Sequence, residues 1–319
     1  MGLRLVMIEC PHQYTELRWI LTYGCNLDCE YCYQQDQRLQ SEFPADLSEE
    51  RVQMVKDFVC HVLRSWTVYF TGGEPFFFPG FVDLCADIAD DCYIGLQTNL
   101  VSQEVARFVS IVPVDRVQYP AFSLKGEKLI FSGEYYGIDV TYHPSALLRR
   151  GLHERFIANL SLLRERGYRF QVNCVLYPPS FGWIVDRITD LESLGFSVNP
   201  RVFRGWWDGH FFPRSYTRKQ IDYISSMASN SLDNDLESSG YLRTYQGQPC
   251  ETGKRFLCLD PVGQFYRCDT HLRSGDQPLN LSLTDTATEG LFPIQRNCPF
   301  PYCECIYQGM KYAHNGISY

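Results

Sequence analysis

Between residues 16 and 205 the chain keeps changing its hydrophobic period, and this alternation limits the fold more than any other feature. Short strand-like runs occur at "ELRWILTY" (16–23), "TVYFTGGEP" (67–75), "CYIGLQTNL" (92–100), "GIDVTYHPS" (137–145), "YRFQVNCVLYPP" (168–179) and "FSVNPRVF" (196–203). Helical spacing fills the gaps. Val52, Val55, Val59 and Val62 trace one stripe, behind a capping box read at Asp46 and Glu49. A short helix is predicted around 80–90, another from His153 to Arg166 ending at Gly167, and another from Phe181 to Leu194. The stretch 102–137 reads as a helix plus a strand at "RVQYPAF". Strands that alternate with helices imply an α/β fold with a mostly parallel sheet and crossover helices. About six such units make a partial (β/α)6 TIM-like barrel, an incomplete form of the eight-fold one.

The 319 residues suffice for that barrel and a small appendage. The polar run "SSMASNSLDNDLESSG" (225–240) marks a boundary, giving a barrel over 1–212, a connection over 213–245 and a distinct segment over 246–319. A net charge of −8, from 29 basic and 37 acidic residues, argues against broad attraction to nucleic acid or anionic lipid. No run is long and apolar enough to span a membrane, and "MGLRLVMIEC" lacks a secretion signal, so the cytoplasm is expected. In that compartment fourteen cysteines point to metal ligation rather than disulfides.

The stretch "TYGCNLDCEYCYQQ" (22–35) packs Cys25, Cys29 and Cys32 into eight residues directly after the first strand. Structural zinc or a fully protein-ligated iron–sulfur cluster takes four ligands, so three thiols suggest a centre with one open position. Alone, the spacing also suits half of a zinc site, and "GGEP" suits any tight turn. Together they resemble the radical S-adenosylmethionine (SAM) enzyme family. The resemblance rests on Cys25-xxx-Cys29-xx-Cys32 with aromatic Tyr31, then Gly72, Gly73 and Glu74 ending the second strand, and covers roughly residues 16–205. It implies that the three thiolates hold a [4Fe–4S] cluster whose fourth iron binds SAM, with Glu74 near the methionine amino group. Reductive cleavage of SAM to a 5′-deoxyadenosyl radical would follow. "QTNL" resembles the family's TNG stretch, except that Leu100 stands where the glycine would be.

In "YRFQVNCVLY" one face carries Tyr168, Phe170, Val172, Cys174 and Leu176, while the other carries Arg169, Gln171 and Asn173. A parallel strand covered on both sides should be apolar on both, so the polar face needs a reason. The same reasoning selects Gln97, Asn99, Thr141, His143, Asn173 and Arg201 as contacts to SAM or substrate, against the plainer reading that they satisfy backbone groups at strand ends. The loop "RGWWDGHFFP" (204–213) covers substrate or packs the domain junction.

A second constellation occupies the C-terminal segment, where "CETGKRFLCLDPVGQFYRC" (250–268) is followed by "CPFPYCEC" (298–305). It resembles the SPASM and Twitch extensions of radical SAM enzymes, in which a glycine-turned hairpin and later cysteines hold an auxiliary [4Fe–4S] cluster. The number of cysteines suits a Twitch-like β-hairpin/helix segment with one cluster. Its implied ligands are Cys250 and Cys268, with Cys298, Cys303 and Cys305 competing for the remaining places; Cys258 reads as core. A structural zinc knob is the alternative.

The family resemblance implies a flavodoxin- or ferredoxin-type reductant and a substrate that loses a hydrogen atom. Oxidative crosslinking or epimerisation of a peptide is the expected chemistry. Oxidation or rearrangement of a small metabolite such as a sugar, aminocyclitol or nucleotide is the alternative. The few residues ahead of the first strand leave little room for a peptide-recognition domain, so a separate recognition protein would supply it. A zinc-binding structural or nucleic-acid-binding protein is the alternative from a different class.

Overall fold

Leu17, Trp19 and Leu21 alternate with Glu16, Arg18 and Ile20 along β1 (Glu16–Thr22), and the first set is wholly buried. This period of two repeats along the sheet and divides it into an apolar outer face and a polar inner one. The computed structural model describes residues 15–32, 34, 48–64, 66–125 and 128–227, and beyond these 246–247, 249–250, 252–253, 256–273, 277–279 and 296–299.

After β1 come α1 (Glu49–Val62), β2 (Thr67–Gly72), α2 (Phe81–Ile88), β3 (Tyr93–Thr98) and α3 (Val105–Ile111). A hairpin of β4 (Gln118–Lys125) and β5 (Lys128–Tyr136) follows, then β6 (Ile138–Tyr142), α4 (Pro144–Arg149) and α5 (His153–Glu165). The series continues with β7 (Phe170–Leu176), α6 (Phe181–Ser193), β8 (Val198–Val202), β9 (Gly205–Trp207), β10 (His210–Phe212) and α7 (Arg218–Met227). The C-terminal elements are β11 (Pro249–Cys250), β12 (Phe256–Leu259), β13 (Phe265–Tyr266), α8 (Asp269–Arg273) and β14 (Arg296–Asn297).

The main sheet runs β13-β12-β1-β2-β3-β6-β7-β8. Its six barrel strands, β1 to β3 and β6 to β8, are all parallel, as the alternating pattern predicts. The outer face carries Val68 and Phe70, Ile94 and Leu96, Val140 and Tyr142, and Cys174 and Leu176, all buried beneath the helices. Phe70 meets Phe81 of α2 edge-on at 5.3 Å, and Tyr142 stacks on Phe156 of α5 at 5.1 Å. Truncating such a ring to alanine costs about 3–5 kcal/mol, so these contacts fix where the helices lie.

Three features differ from the sequence expectation. Helix α1 is capped by Ser48, whose Oγ accepts the Arg51 N–H at 3.3 Å; Glu49 is already inside the helix, and Asp46 lies outside the described residues. The strand expected at "RVQYPAF" is one arm of an antiparallel hairpin inserted between α3 and β6, with β5 as its unforeseen partner. Strand β12 of the C-terminal hairpin joins the main sheet, pairing in parallel with β1 through Glu16–Phe256 and Arg18–Cys258. Among the described residues, no helix is long and apolar enough to cross a membrane.

Candidate active site

The loops after β1, β2 and β3 meet at the carboxyl end of the barrel. The Gly73 N–H donates to Thr22 O at 2.7 Å and the Glu74 N–H to Gly24 O at 2.8 Å. These bonds bring the glycine turn so close to the cysteine loop that a Cβ on Gly73 would lie 2.6 Å from Tyr23 O and closer still to Gly24 O. Gly72 adopts φ +136°, a region suited to glycine. Both glycines therefore answer to the close approach of two backbones.

Glu74 is 1% exposed. Its Oε1 accepts from Thr98 Oγ1 at 2.7 Å and from the Phe76 N–H at 3.2 Å, and its Oε2 accepts from the Asn99 N–H at 2.7 Å. Three of its roughly four acceptor positions thus hold the turns after β2 and β3. Burial pushes its pKa up to about 7, against the lowering effect of these donors. Asn99 in turn donates through Nδ2 to Asn26 Oδ1 at 2.7 Å and approaches Cys25 Sγ at 3.6 Å. The Leu27 N–H also points to Cys25 Sγ, at 3.4 Å.

Leu100 takes φ +58°, the left-handed conformation that the expected glycine would adopt without cost. Its side chain is buried, its N–H donates to Thr98 Oγ1 at 2.9 Å, and its carbonyl accepts from Asn159 Nδ2 at 2.9 Å. Packing and these two bonds hold the strained turn.

Cys25, Cys29 and Cys32 are partly exposed thiols on one loop. Arg149 and Arg150, at the end of α4, pin the loop from outside through Glu30 and Asp28. Among the described residues, no three His, Cys, Asp or Glu side chains converge on one metal ion. Three thiols on one loop are a donor set for a [4Fe–4S] cube, which binds each thiolate through a different iron.

Tyr31, between the second and third of these cysteines, shares a 2.9 Å hydrogen bond with His143 Nδ1 and packs on Tyr177 at 5.1 Å. Burial raises the Tyr31 pKa well above its ordinary value and lowers that of His143 to about 4, so both are neutral near pH 7. Tyr177 meets Trp207 edge-on at 5.3 Å. The β9–β10 hairpin then presents Trp207 and Trp206, the latter 71% exposed, at the rim.

Below this mouth the inner face is polar on every barrel strand. Thr71 Oγ1 donates to Gln97 Oε1 at 3.0 Å. Asn173 Oδ1 accepts from Asn199 Nδ2 at 2.9 Å and from Arg201 Nε at 3.0 Å, and its Nδ2 reaches Asp139 at 3.3 Å. Thr141 pairs in register with Asn173. Asp139, Tyr69 and Tyr177 escaped the sequence reading, although the alternation in "DVTYH" puts Asp139 on the same face as Thr141 and His143. On β6 and β8 the outer positions are buried and the inner ones keep some exposure, so solvent reaches a recess on that side.

On the β1 side the C-terminal segment covers the inner face. Arg18 is buried between Glu16 and Asp269 of α8, with Nη1 2.8 Å from Asp269 Oδ2. Cys268 is buried, and its sulfur accepts the His271 N–H at 3.4 Å. The β11–β14 pairing sets Cys250 opposite Arg296, two positions before the buried Cys298. Cys258 is buried beside Asp269, 3.3 Å from Oδ1. Cys303 and Cys305 lie outside the described residues.

A parallel partial barrel with three partly exposed cysteines on one loop and a glycine-turned buried carboxylate at its carboxyl end is the arrangement of a cofactor-dependent enzyme of the barrel class. The family model described as "Radical SAM superfamily" matches residues 19–186, more than half of the chain, and the chain belongs to that superfamily. It is accordingly an enzyme that employs a [4Fe–4S] cluster and SAM, which sets aside the zinc-protein alternative. Among curated proteins it is 28% identical over 169 residues to GTP 3′,8-cyclase of Streptomyces coelicolor, covering 51% of this chain and 45% of that protein. It is 29% identical over 168 residues to molybdenum cofactor biosynthesis protein 1 of Drosophila melanogaster, covering 51% of this chain and 27% of that one. These matches span less than half of either relative. Solved structures with a similar fold include anSMEcpe with bound AdoMet and the Cp18Cys peptide (TM-score 0.52, 15% identity, 93% of this chain and 87% of that one). Streptococcus suis SuiB bound to S-adenosylmethionine is another (TM-score 0.51, 13% identity, 88% and 64%).

Proposed function

We propose that Cys25, Cys29 and Cys32 hold the cluster, that Gly72, Gly73 and Glu74 shape the adjoining SAM site, and that the enzyme removes a hydrogen atom from a small polar metabolite bound in the barrel recess. When bound, the cluster and SAM supply a one-electron cleavage of the sulfonium that generates a hydrogen-abstracting radical. The chain's own part is to hold the thiol loop through Asn99 and Arg149, and to orient the substrate against Gln97, Thr141, Asn173 and Arg201. The electron comes from a flavodoxin- or ferredoxin-type donor, and the proposed compartment is the cytoplasm.

The observation that carries the substrate class is the polar, solvent-reaching inner face of β6 and β8. A wholly covered parallel strand would be apolar there. The name GTP 3′,8-cyclase, carried by relatives in sequence, supports a small polar metabolite. A second reading, a peptide substrate presented by a separate recognition protein, draws support from the exposed Trp206 and Trp207 at the rim. Aromatic side chains of that kind are common anchors for polypeptide partners.

In the C-terminal segment, Cys250, Cys268 and Cys298 with Cys303 or Cys305 are proposed to hold an auxiliary [4Fe–4S] cluster. Anaerobic purification tests both assignments. A brown protein with about eight irons per chain that forms 5′-deoxyadenosine with dithionite is expected. Colourless protein with stoichiometric zinc overturns the reading, as does a Cys29→Ala variant that still forms 5′-deoxyadenosine.

A further inference from the structure

We propose that Asp139 is the acceptor in the recess that selects the substrate, and that the group it takes is a primary ammonium. This deepens the reading of the recess as a site for a small polar molecule and rests on it.

Asp139 lies on the inner face of β6, in register with Gln97 on one side and Gln171 on the other. Its Oδ2 accepts from the Tyr69 hydroxyl at 2.8 Å. Its Oδ1 accepts from Gln171 Nε2, and from Asn173 Nδ2 at 3.3 Å. All three donors are neutral, and among the described residues no Lys, Arg or His forms an ion pair with this carboxylate. Arg18, which lies over the Tyr69 ring, is committed to Glu16 and Asp269.

The donors are fixed in their roles. Arg201 can only donate, and its Nε meets Asn173 Oδ1 at 3.0 Å, so the amide of Asn173 has to turn its nitrogen toward Asp139. Asn199 Nδ2 reinforces that orientation at 2.9 Å. A carboxylate offers roughly four acceptor positions, of which three are used here. Asp139 keeps part of its surface, and the fourth is assigned to a ligand.

The charge decides what kind of ligand that is. A partly desolvated carboxylate supplied only with neutral donors lacks the compensation that a cation provides. A hydroxyl and an ammonium both make charge-assisted bonds to a carboxylate, but the ammonium adds the Coulomb attraction of opposite charges, so it is held in preference. A phosphate or carboxylate group of the substrate is repelled from this position and belongs nearer Arg201, at the mouth.

The test uses the full chain, reconstituted anaerobically with its cluster and SAM, and follows thermal unfolding with three probes of similar size. Glucosamine carries the ammonium, N-acetylglucosamine removes the charge but keeps the polar ring, and gluconate reverses it. Glucosamine is expected to raise Tm by about 2 °C or more at saturating concentration, with no shift from the other two. Asp139→Asn, checked for cooperative melting without probe, is expected to lose the glucosamine shift, whereas Tyr69→Phe keeps it. Equal shifts from glucosamine and N-acetylglucosamine overturn the ammonium assignment and leave the polar-metabolite reading standing. No shift from any probe overturns both, and a shift retained by Asp139→Asn overturns the role of that residue.

Discussion

Glu74 Oε2 accepts the backbone N–H of Asn99 at 2.7 Å, so the carboxylate that ends the glycine turn after β2 also fixes the turn after β3. Asn99 then carries the link to Cys25 through its own side chain. One buried acid therefore sets the relative placement of three loops that belong to three different strands.

That arrangement makes stability depend on pH. Burial raises the Glu74 pKa from 4.5 to about 7, so the folded state binds its proton more tightly than the unfolded state does. The stability this provides is complete below pH 4.5 and is lost as pH rises through about 7. The loss is on the order of 3 kcal/mol. Urea unfolding at pH 5 and pH 8 measures it, and Glu74→Gln is expected to flatten the difference. An unchanged slope in that variant would mean that another group is responsible. Glu74→Ala, which strands the donors of Phe76, Thr98 and Asn99, is expected to lose a further 1–3 kcal/mol or so at either pH.

Gly73→Ala separates the glycine turn from the cysteine loop. The added methyl collides with Tyr23 O and Gly24 O, both of them backbone atoms that cannot rotate aside. The bonds from Gly73 N and Glu74 N to the first loop must lengthen or break. Isothermal titration with SAM on the reconstituted protein is expected to show at least a tenfold weaker affinity, about 1.4 kcal/mol. Wild-type affinity would show that the two loops do not need this contact.

At Leu100 two effects oppose each other. Replacing it with glycine relieves the left-handed backbone by about 1–2 kcal/mol. It also removes a fully buried leucine side chain, which costs about 2–5 kcal/mol. Burial wins, so Leu100→Gly is expected to unfold at lower urea concentration than the parent. Higher stability in the variant would mean that the strain outweighs the packing.

The barrel was readable because each parallel strand carries its period of two on residues that also bury, as in "RFQVNCVL". The polar inner face was readable for the same reason, and Gln97, Thr141, Asn173 and Arg201 were found by it. Asp139 obeys the same alternation, two positions before Thr141, and was missed although it lies in register with Gln97. The β4–β5 hairpin was obscured by its pairing: its register shifts between Ala121 and Phe122, which breaks a simple alternation. Nothing local indicates that β12 joins β1, because that pairing joins residues some 240 positions apart. The Ser48 cap was overlooked in favour of Asp46, a competing capping residue two positions upstream.

The pairing of Arg18 with Asp269 ties the C-terminal segment to the barrel. Arg18 sits between Glu16 and Asp269 with almost no solvent, and its guanidinium also lies over the rings of Tyr69 and Phe256, at 5.1 and 5.3 Å. Removing one partner of such a pair leaves an uncompensated buried charge and costs about 3–5 kcal/mol. Asp269→Asn and Arg18→Met are each expected to show a loss of that size in urea, with the double variant losing clearly less than the sum. Asp269 adjoins Cys268, so Asp269→Asn is also expected to lower the iron content toward about four per chain, the amount held by one cluster. Losses that add to within about 0.5 kcal/mol would show the two residues to be independent. The C-terminal hairpin would then be held to β1 by its backbone bonds and apolar packing alone.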